Sequence, residues 1–234
     1  MKAYKVAISM GMVVAALGLP GVVVSQPMPE QSGHQGTQHG QANQHMNQRP
    51  FEELAAGFDS AERDSWQKPE AVLDFIGDVQ GKTVMDIGSG TGYFSFRLLA
   101  AGALVICADV DERFLGVIRD RMASEGVGDD RMQLRHVPFD SSTLQPAEVD
   151  VVLIVDTYHH IENRIDYFAE VRAGLKPGGK LVIVDFFKRD DPVGPPAAMK
   201  MAEDTVAAEL IRAGYSTINI NRDLLPYQYI IEAY

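Results

Sequence analysis

A chain of 234 residues, 46% apolar and 23% charged, has the composition of a soluble globular protein and the length for one domain with a sizeable core. Its formal net charge of −11 argues against nucleic acid or an anionic membrane surface as a partner, because both call for a basic face. The single cysteine, Cys107, excludes an intramolecular disulfide and a multi-cysteine metal centre, and its place in an apolar run marks it as a small buried hydrophobe.

Taken in chain order, Lys2 and Lys5 form a cationic start, and Val6 to Val24 is a nearly uncharged apolar stretch. Small or modest side chains at Val23 and Ser25, then polar Gln26, give the pattern of an export signal over residues 1–25. That reading sends the mature protein to the periplasm or outside the cell, with no stable membrane partner after cleavage. The stretch is also near the length that spans a bilayer, so an uncleaved anchor is the alternative. Residues 26–50 are rich in Gln, His, Gly and Asn without apolar periodicity, and are expected to be a disordered linker. Its His34, His39 and His45 read as parts of a solvated spacer, with a metal-binding tail as the rival.

From Phe51 the pattern turns to helices and strands in alternation. Phe51–Phe58 and Pro69–Ile76 are short amphipathic helices, Pro69 suiting a first helical turn. Strands are expected at Thr83–Ile87, Ala103–Ala108, Met132–Val137, Val149–Val155 and Lys180–Phe186. Helices are expected at Tyr93–Ala101, Glu112–Ser124, Asn163–Leu175 and, as one long element, Ala197–Ala213. Two last runs, Tyr215–Ile220 and Pro226–Ala233, have no helix between them and should pair antiparallel at a sheet edge. The implied fold is α/β: a doubly wound, seven-stranded, mostly parallel sheet with helices on both faces.

The most informative stretch is Val84-Met85-Asp86-Ile87-Gly88-Ser89-Gly90-Thr91-Gly92, a strand feeding a glycine turn that opens a helix. The dinucleotide fingerprint fails, since Tyr93 or Ser95 falls where its last glycine belongs. With Asp86 two residues before the first glycine, the stretch instead resembles motif I of the class I S-adenosylmethionine (SAM)-dependent methyltransferases. Asp109-Val110-Asp111 ends the second strand, Phe139-Asp140-Ser141-Ser142 follows the third, and Leu175-Lys176-Pro177-Gly178-Gly179-Lys180-Leu181 precedes the fifth. These are similar to the family's small-molecule branch in order and spacing, over roughly residue 64 to residue 234.

The resemblance implies a Rossmann-like fold for residues 51–234, SAM as cofactor and a small-molecule acceptor of unstated identity. It implies that Asp86, Gly88, Ser89, Gly90 and Gly92 surround the amino-acid end of SAM. Asp109 would take both ribose hydroxyls, with Val110 beside it, and Asp140 would accept from the adenine amine. Asp86 has a second, compatible role open to it, bracing the glycine loop by accepting backbone N–H bonds. Asp111 reads as a solvated residue or helix cap.

Methyl transfer from a sulfonium needs chiefly alignment, plus a base where the acceptor must lose a proton. His159 and Tyr158 leave strand four at the edge where the reaction would occur and are the catalytic candidates; packing is the rival role for both. Arg63, Trp66 and Gln67 precede the core and are placed to act as a lid, with Trp66 at the acceptor or in packing. No metal site is expected in the domain. An envelope protein or peptide methyltransferase, and a SAM-binding domain without turnover, are the rival functions.

Overall fold

The computed structural model describes residues 49–234. The signal or anchor expected at 1–25, and the expected linker as far as residue 48, lie outside the described residues. Among the described residues, no helix is long and apolar enough to cross a membrane.

Three short helices come first: α1 (Phe51–Phe58), α2 (Ala61–Gln67) and α3 (Pro69–Ile76). The second was not expected; Ser60 caps it by accepting from the Glu62 N–H at 3.3 Å. The alternating core follows: β1 (Thr83–Ile87), α4 (Ser95–Ala100), β2 (Leu104–Asp109), α5 (Glu112–Glu125), β3 (Met132–His136), β4 (Val149–Val155), α6 (Arg164–Gly174) and β5 (Leu175–Phe186). Helix α7 (Glu203–Arg212) and strands β6 (Ile218–Asn221) and β7 (Gln228–Ala233) complete it.

The seven strands lie in the order β3-β2-β1-β4-β5-β7-β6. All neighbours through β5 are parallel, and β7 pairs antiparallel with both β5 and β6. The expected fold class is therefore observed. Its physical basis is the two-residue alternation of each strand. Val84, Val105, Val151 and Leu153 face one core with α3, α4 and α5, while Met85, Ile106, Val152 and Ile154 face the other with α6 and α7. Cys107 is fully buried on the first side, and burial pushes its thiol up to about 12.

Two elements depart from expectation. The long helix over 197–213 is divided into a 3₁₀ turn, Ala197–Met199, and α7, although no proline interrupts that span. Fully buried Lys200 sits at the break: its Nζ donates to the Arg189 carbonyl at 2.7 Å and approaches the Asp191 carboxylate at 3.3 Å. A tertiary contact thus overrides local helix propensity. Strand β5 also begins earlier than expected. Leu175 pairs with Val149, the Pro177-Gly178-Gly179 turn bulges out, and pairing resumes at Lys180 with Val151.

Candidate active site

Strand β1 aims the glycine turn at the carboxyl end of the sheet, where α/β folds bind ligands. Gly88 and Ser89 N–H both donate to the Ala108 carbonyl, at 2.8 and 3.1 Å, and Gly90 N–H donates to Asp109 Oδ2 at 2.9 Å. The loop is therefore pinned to the end of β2. Gly88 has φ +74°, and a Cβ there would lie 2.2 Å from Thr157 Oγ1, so the turn tolerates no side chain. A Cβ on Gly92 would instead meet the Phe96 ring at 2.9 Å, and Gly92 lines neither cavity described below.

Bracing of the loop, one of the two roles considered for Asp86, falls to Asp109. Its Oδ1 also accepts from the Asp111 N–H at 3.0 Å. Burial raises the Asp109 carboxyl above the ordinary range, and the N–H bonds from Asp111 and Gly90 oppose that rise. Asp86 is buried and accepts from Ser95 Oγ at 2.6 Å. Burial pushes it up to about 6, with the Ser95 bond and the Arg63 charge pulling it back. Asp111 caps α5, accepting from the Arg113 N–H at 2.9 Å.

Two adjoining cavities flank the loop and share Phe58, Gly88, Gly90 and His160 in their walls. The smaller, about 250 Å³, is lined by Asp109, Val110, Phe114, Val137 and Phe139. Asp140, expected at an adenine, is exposed and lines neither cavity; its neighbour Phe139 does, with its ring largely open to solvent. The larger, about 380 Å³, runs from Asp86 and Ser89 past Arg63 and Asp156 to Trp66, His159, Phe186 and the 194–199 segment. The Ser89 hydroxyl is buried there without a hydrogen-bond partner.

Of the two catalytic candidates, the structure brings only His159 to the cleft. Its Nδ1 lies 3.0 Å from both Asp185 oxygens, and its backbone N–H donates to Oδ2 at 3.3 Å. Burial pulls the imidazole down, but the Asp185 carboxylate outweighs it and the net shift is upward. Tyr158 is a correction. It is fully buried, stacks on Phe168 and donates its hydroxyl to Glu209 Oε2 at 2.6 Å, away from the cleft walls. Burial and Glu209 both push the phenol up, so it holds its proton.

Asp156 leaves β4 at the same edge as His159 and proves to be a site residue in its own right. It sits at the end of β4 with φ +55°, uncommon for a residue bearing a side chain. Its carboxylate accepts from Gln228 Nε2 and, at 3.4 Å, from Arg63 Nη2. Burial pushes it up to about 7, opposed first by Arg63. Arg63 lies over the Tyr93 ring at 4.1 Å, and Asp59, on the link from α1 to α2, accepts from Thr91 Oγ1 at 2.8 Å. These contacts lay helix α2 against the glycine loop. Asp185 was missed; a charged residue at the carboxyl end of an apolar strand was the available signal. Among the described residues, no cluster of His, Cys, Asp or Glu suits a metal ion.

Residues 85–183 match the family model described as a methyltransferase domain. Over that span the chain is similar to methyltransferase domains. The match runs from within β1 into β5 and ends two residues before Asp185. A solved SAM-dependent methyltransferase from Aquifex aeolicus superposes with a TM-score of 0.69 at 23% identity, covering 79% of this chain and 98% of that one. A ubiquinone/menaquinone biosynthesis C-methyltransferase of Cereibacter sphaeroides is 29% identical over 173 residues. A tRNA U34 carboxymethyltransferase of Klebsiella pneumoniae is 27% identical over 168 residues. Each alignment takes in 70% of this chain, but only 63% and 49% of those relatives. The residues around the methyltransferase loop fit SAM: a buried unpaired Ser89 hydroxyl, glycine backbone that admits close approach, and a carboxylate at the end of β2.

Proposed function

We propose that the chain transfers a methyl group from SAM to a small-molecule acceptor. The observation that carries this is the pairing of two adjoining cavities of different chemistry. One is bounded by the Asp109 carboxylate and loop backbone; the other, beyond the loop, by His159, Asp156 and apolar rings. Bound SAM supplies a methyl group already activated on sulfur. Asp109 would hold the ribose hydroxyls through the accepting capacity its carboxylate retains. Asp86, Ser89 and Gly88 would receive the amino-acid end. Arg63 and Trp66, carried on α2, close the cleft against water.

His159 is the group placed to hold a proton, because Asp185 fixes its ring and stabilises its charged form. An acceptor that must lose a proton can pass it to that imidazole while the ring is neutral, and the Asp185 carboxylate then balances the imidazolium that forms. The relatives that modify tRNA suggest a larger substrate, and the net charge of −11 weighs against it here. The N-terminal stretch supports export of the domain, which N-terminal sequencing of the natural protein tests.

The decisive experiment has two steps. Calorimetry on the purified chain should show binding of SAM and S-adenosylhomocysteine and none of NAD. Labelled SAM should then pass its methyl to a member of a small-molecule panel and not to total tRNA. Binding of NAD alone overturns the reading. Labelling of tRNA replaces the acceptor class, and SAM binding with no acceptor labelled leaves a binding-only domain.

A further inference from the structure

Four side chains from three distant segments close a hydrogen-bonded circuit on one wall of the larger cleft. Arg63 Nε donates to Gln67 Oε1 at 3.1 Å, and Gln67 Nε2 to Gln228 Oε1 at 2.6 Å. Gln228 Nε2 donates to Asp156 Oδ1, and Arg63 Nη2 to Asp156 Oδ2 at 3.4 Å. The circuit ties α2 to the end of β4 and to the first residue of β7. Gln67 and Gln228 are buried almost completely. Such polar groups are retained only with their bonds made, so each amide has one orientation and fixes the next. Asp156 differs, because 23% of its side chain is exposed and it lines the cleft. A carboxylate accepts about four hydrogen bonds, and the circuit takes one on each oxygen.

The charges facing Asp156 decide what it can bind. Arg63 comes from α2, His159 from the turn after β4 and Asp185 from β5, while Gln228 on β7 is neutral. Arg63 pairs with Asp156 and His159 with Asp185. With Arg63 already beside it and the circuit fixing its plane, Asp156 offers a neutral O–H donor an oriented acceptor. Trp66, Phe186, Pro195, Pro196 and Met199 give the same cleft an apolar wall that includes two aromatic rings. We infer that the methyl acceptor is a neutral planar ring bearing a hydroxyl that donates to Asp156, and that Gln67 and Gln228 are positioning residues for that carboxylate. The inference rests on the larger cleft being the acceptor site of a methyltransferase.

The test uses the full chain saturated with S-adenosylhomocysteine and follows two probes by ligand-observed NMR, 4-methylphenol and benzylammonium. The wild-type protein should bind 4-methylphenol at least about tenfold more tightly than benzylammonium. At about pH 8.5, where Asp156 is ionised, Asp156→Asn should lower 4-methylphenol affinity about tenfold, the loss of one hydrogen bond to a charged group. Gln228→Glu adds an anion beside Asp156 and should move the preference toward benzylammonium about tenfold, whereas a merely structural role would weaken both probes alike. Should Gln228→Glu not fold, Gln67→Leu opens the circuit elsewhere. It should weaken 4-methylphenol about threefold with S-adenosylhomocysteine binding held within about twofold. A wild-type preference for benzylammonium overturns the inference, as does an Asp156→Asn loss that falls on S-adenosylhomocysteine instead. Absence of S-adenosylhomocysteine binding at the outset overturns the methyltransferase reading beneath it.

Discussion

The two cavities on either side of the glycine loop are built by opposite means. The smaller is anchored by local backbone: N–H groups pinned to the end of β2, Gly88 where no Cβ fits, and one carboxylate two residues from a helix cap, with apolar side chains completing its wall. The larger is side-chain work, drawn from α2, the ends of β4 and β5, the 194–199 segment and, through Gln228, β7. A backbone-built hollow fixes the shape of a constant ligand, and a side-chain-built one can be re-specified without rebuilding the sheet.

The largest effect that sharpens this contrast is expected at Gly88. Gly88→Val places branched carbons in the Thr157 side chain at a positive φ, and should weaken SAM by more than about a hundredfold and lower the melting temperature. Wild-type affinity in that variant, measured by calorimetry, would break the account of the smaller cavity.

Next comes the pair at the end of β2. Asp109→Ala should weaken SAM about ten- to a hundredfold, the value of hydrogen bonds to a charged group. It should also lower melting, because the Gly90 N–H loses its partner. Asp111→Ala removes an N-cap worth about 1 kcal/mol and should leave SAM affinity within a few-fold. Equal losses of affinity at the two positions would reverse their roles.

The larger cavity should show itself in the pH dependence of stability. Asp86 and Asp156 have folded-state values of about 6 and about 7, above the 3.8 of the free side chain. The folded state therefore binds more protons between those limits. Their contribution is fully present below pH about 4 and is lost as pH rises through 6 and 7. The apo chain should melt higher at pH 5 than at pH 8, and Asp156→Asn should flatten that slope by on the order of 1–3 kcal/mol. A slope unchanged in the variant would show that Asp156 does not titrate in this window.

The smallest effect is predicted for Asp140→Ala. Exposed and outside both cavities, it should leave SAM affinity within about twofold. A tenfold loss would show that the loop after β3 closes over the adenine when ligand binds.

The same division explains what could be read in the amino-acid sequence. The strand–glycine–helix unit, the carboxylate ending β2 and the mostly parallel sheet with its antiparallel edge follow from local pattern and spacing. The circuit of Arg63, Gln67, Gln228 and Asp156 spans separations of up to 161 residues, and no periodicity announces it. Lys200 hides in the same way, a charged residue in a helical pattern whose burial depends on Arg189 and Asp191. Tyr158 and His159 are adjacent, yet one turns into the core and the other to the cleft, a choice made by Glu209 and Asp185 on other elements.

The insertion of β7 between β5 and β6 has a consequence for the order of assembly. Until residues 228–233 are synthesised, β5 offers the unpaired apolar edge from Leu181 to Phe186, which invites pairing with other chains. The elements around the SAM loop, β1, α4 and β2, are local in sequence and can pair long before that. A nascent chain can therefore shape its glycine loop while Asp156, in the wall of the larger cavity, still lacks Gln228. Completion of that wall and protection of the sheet edge then arrive together, with a single strand.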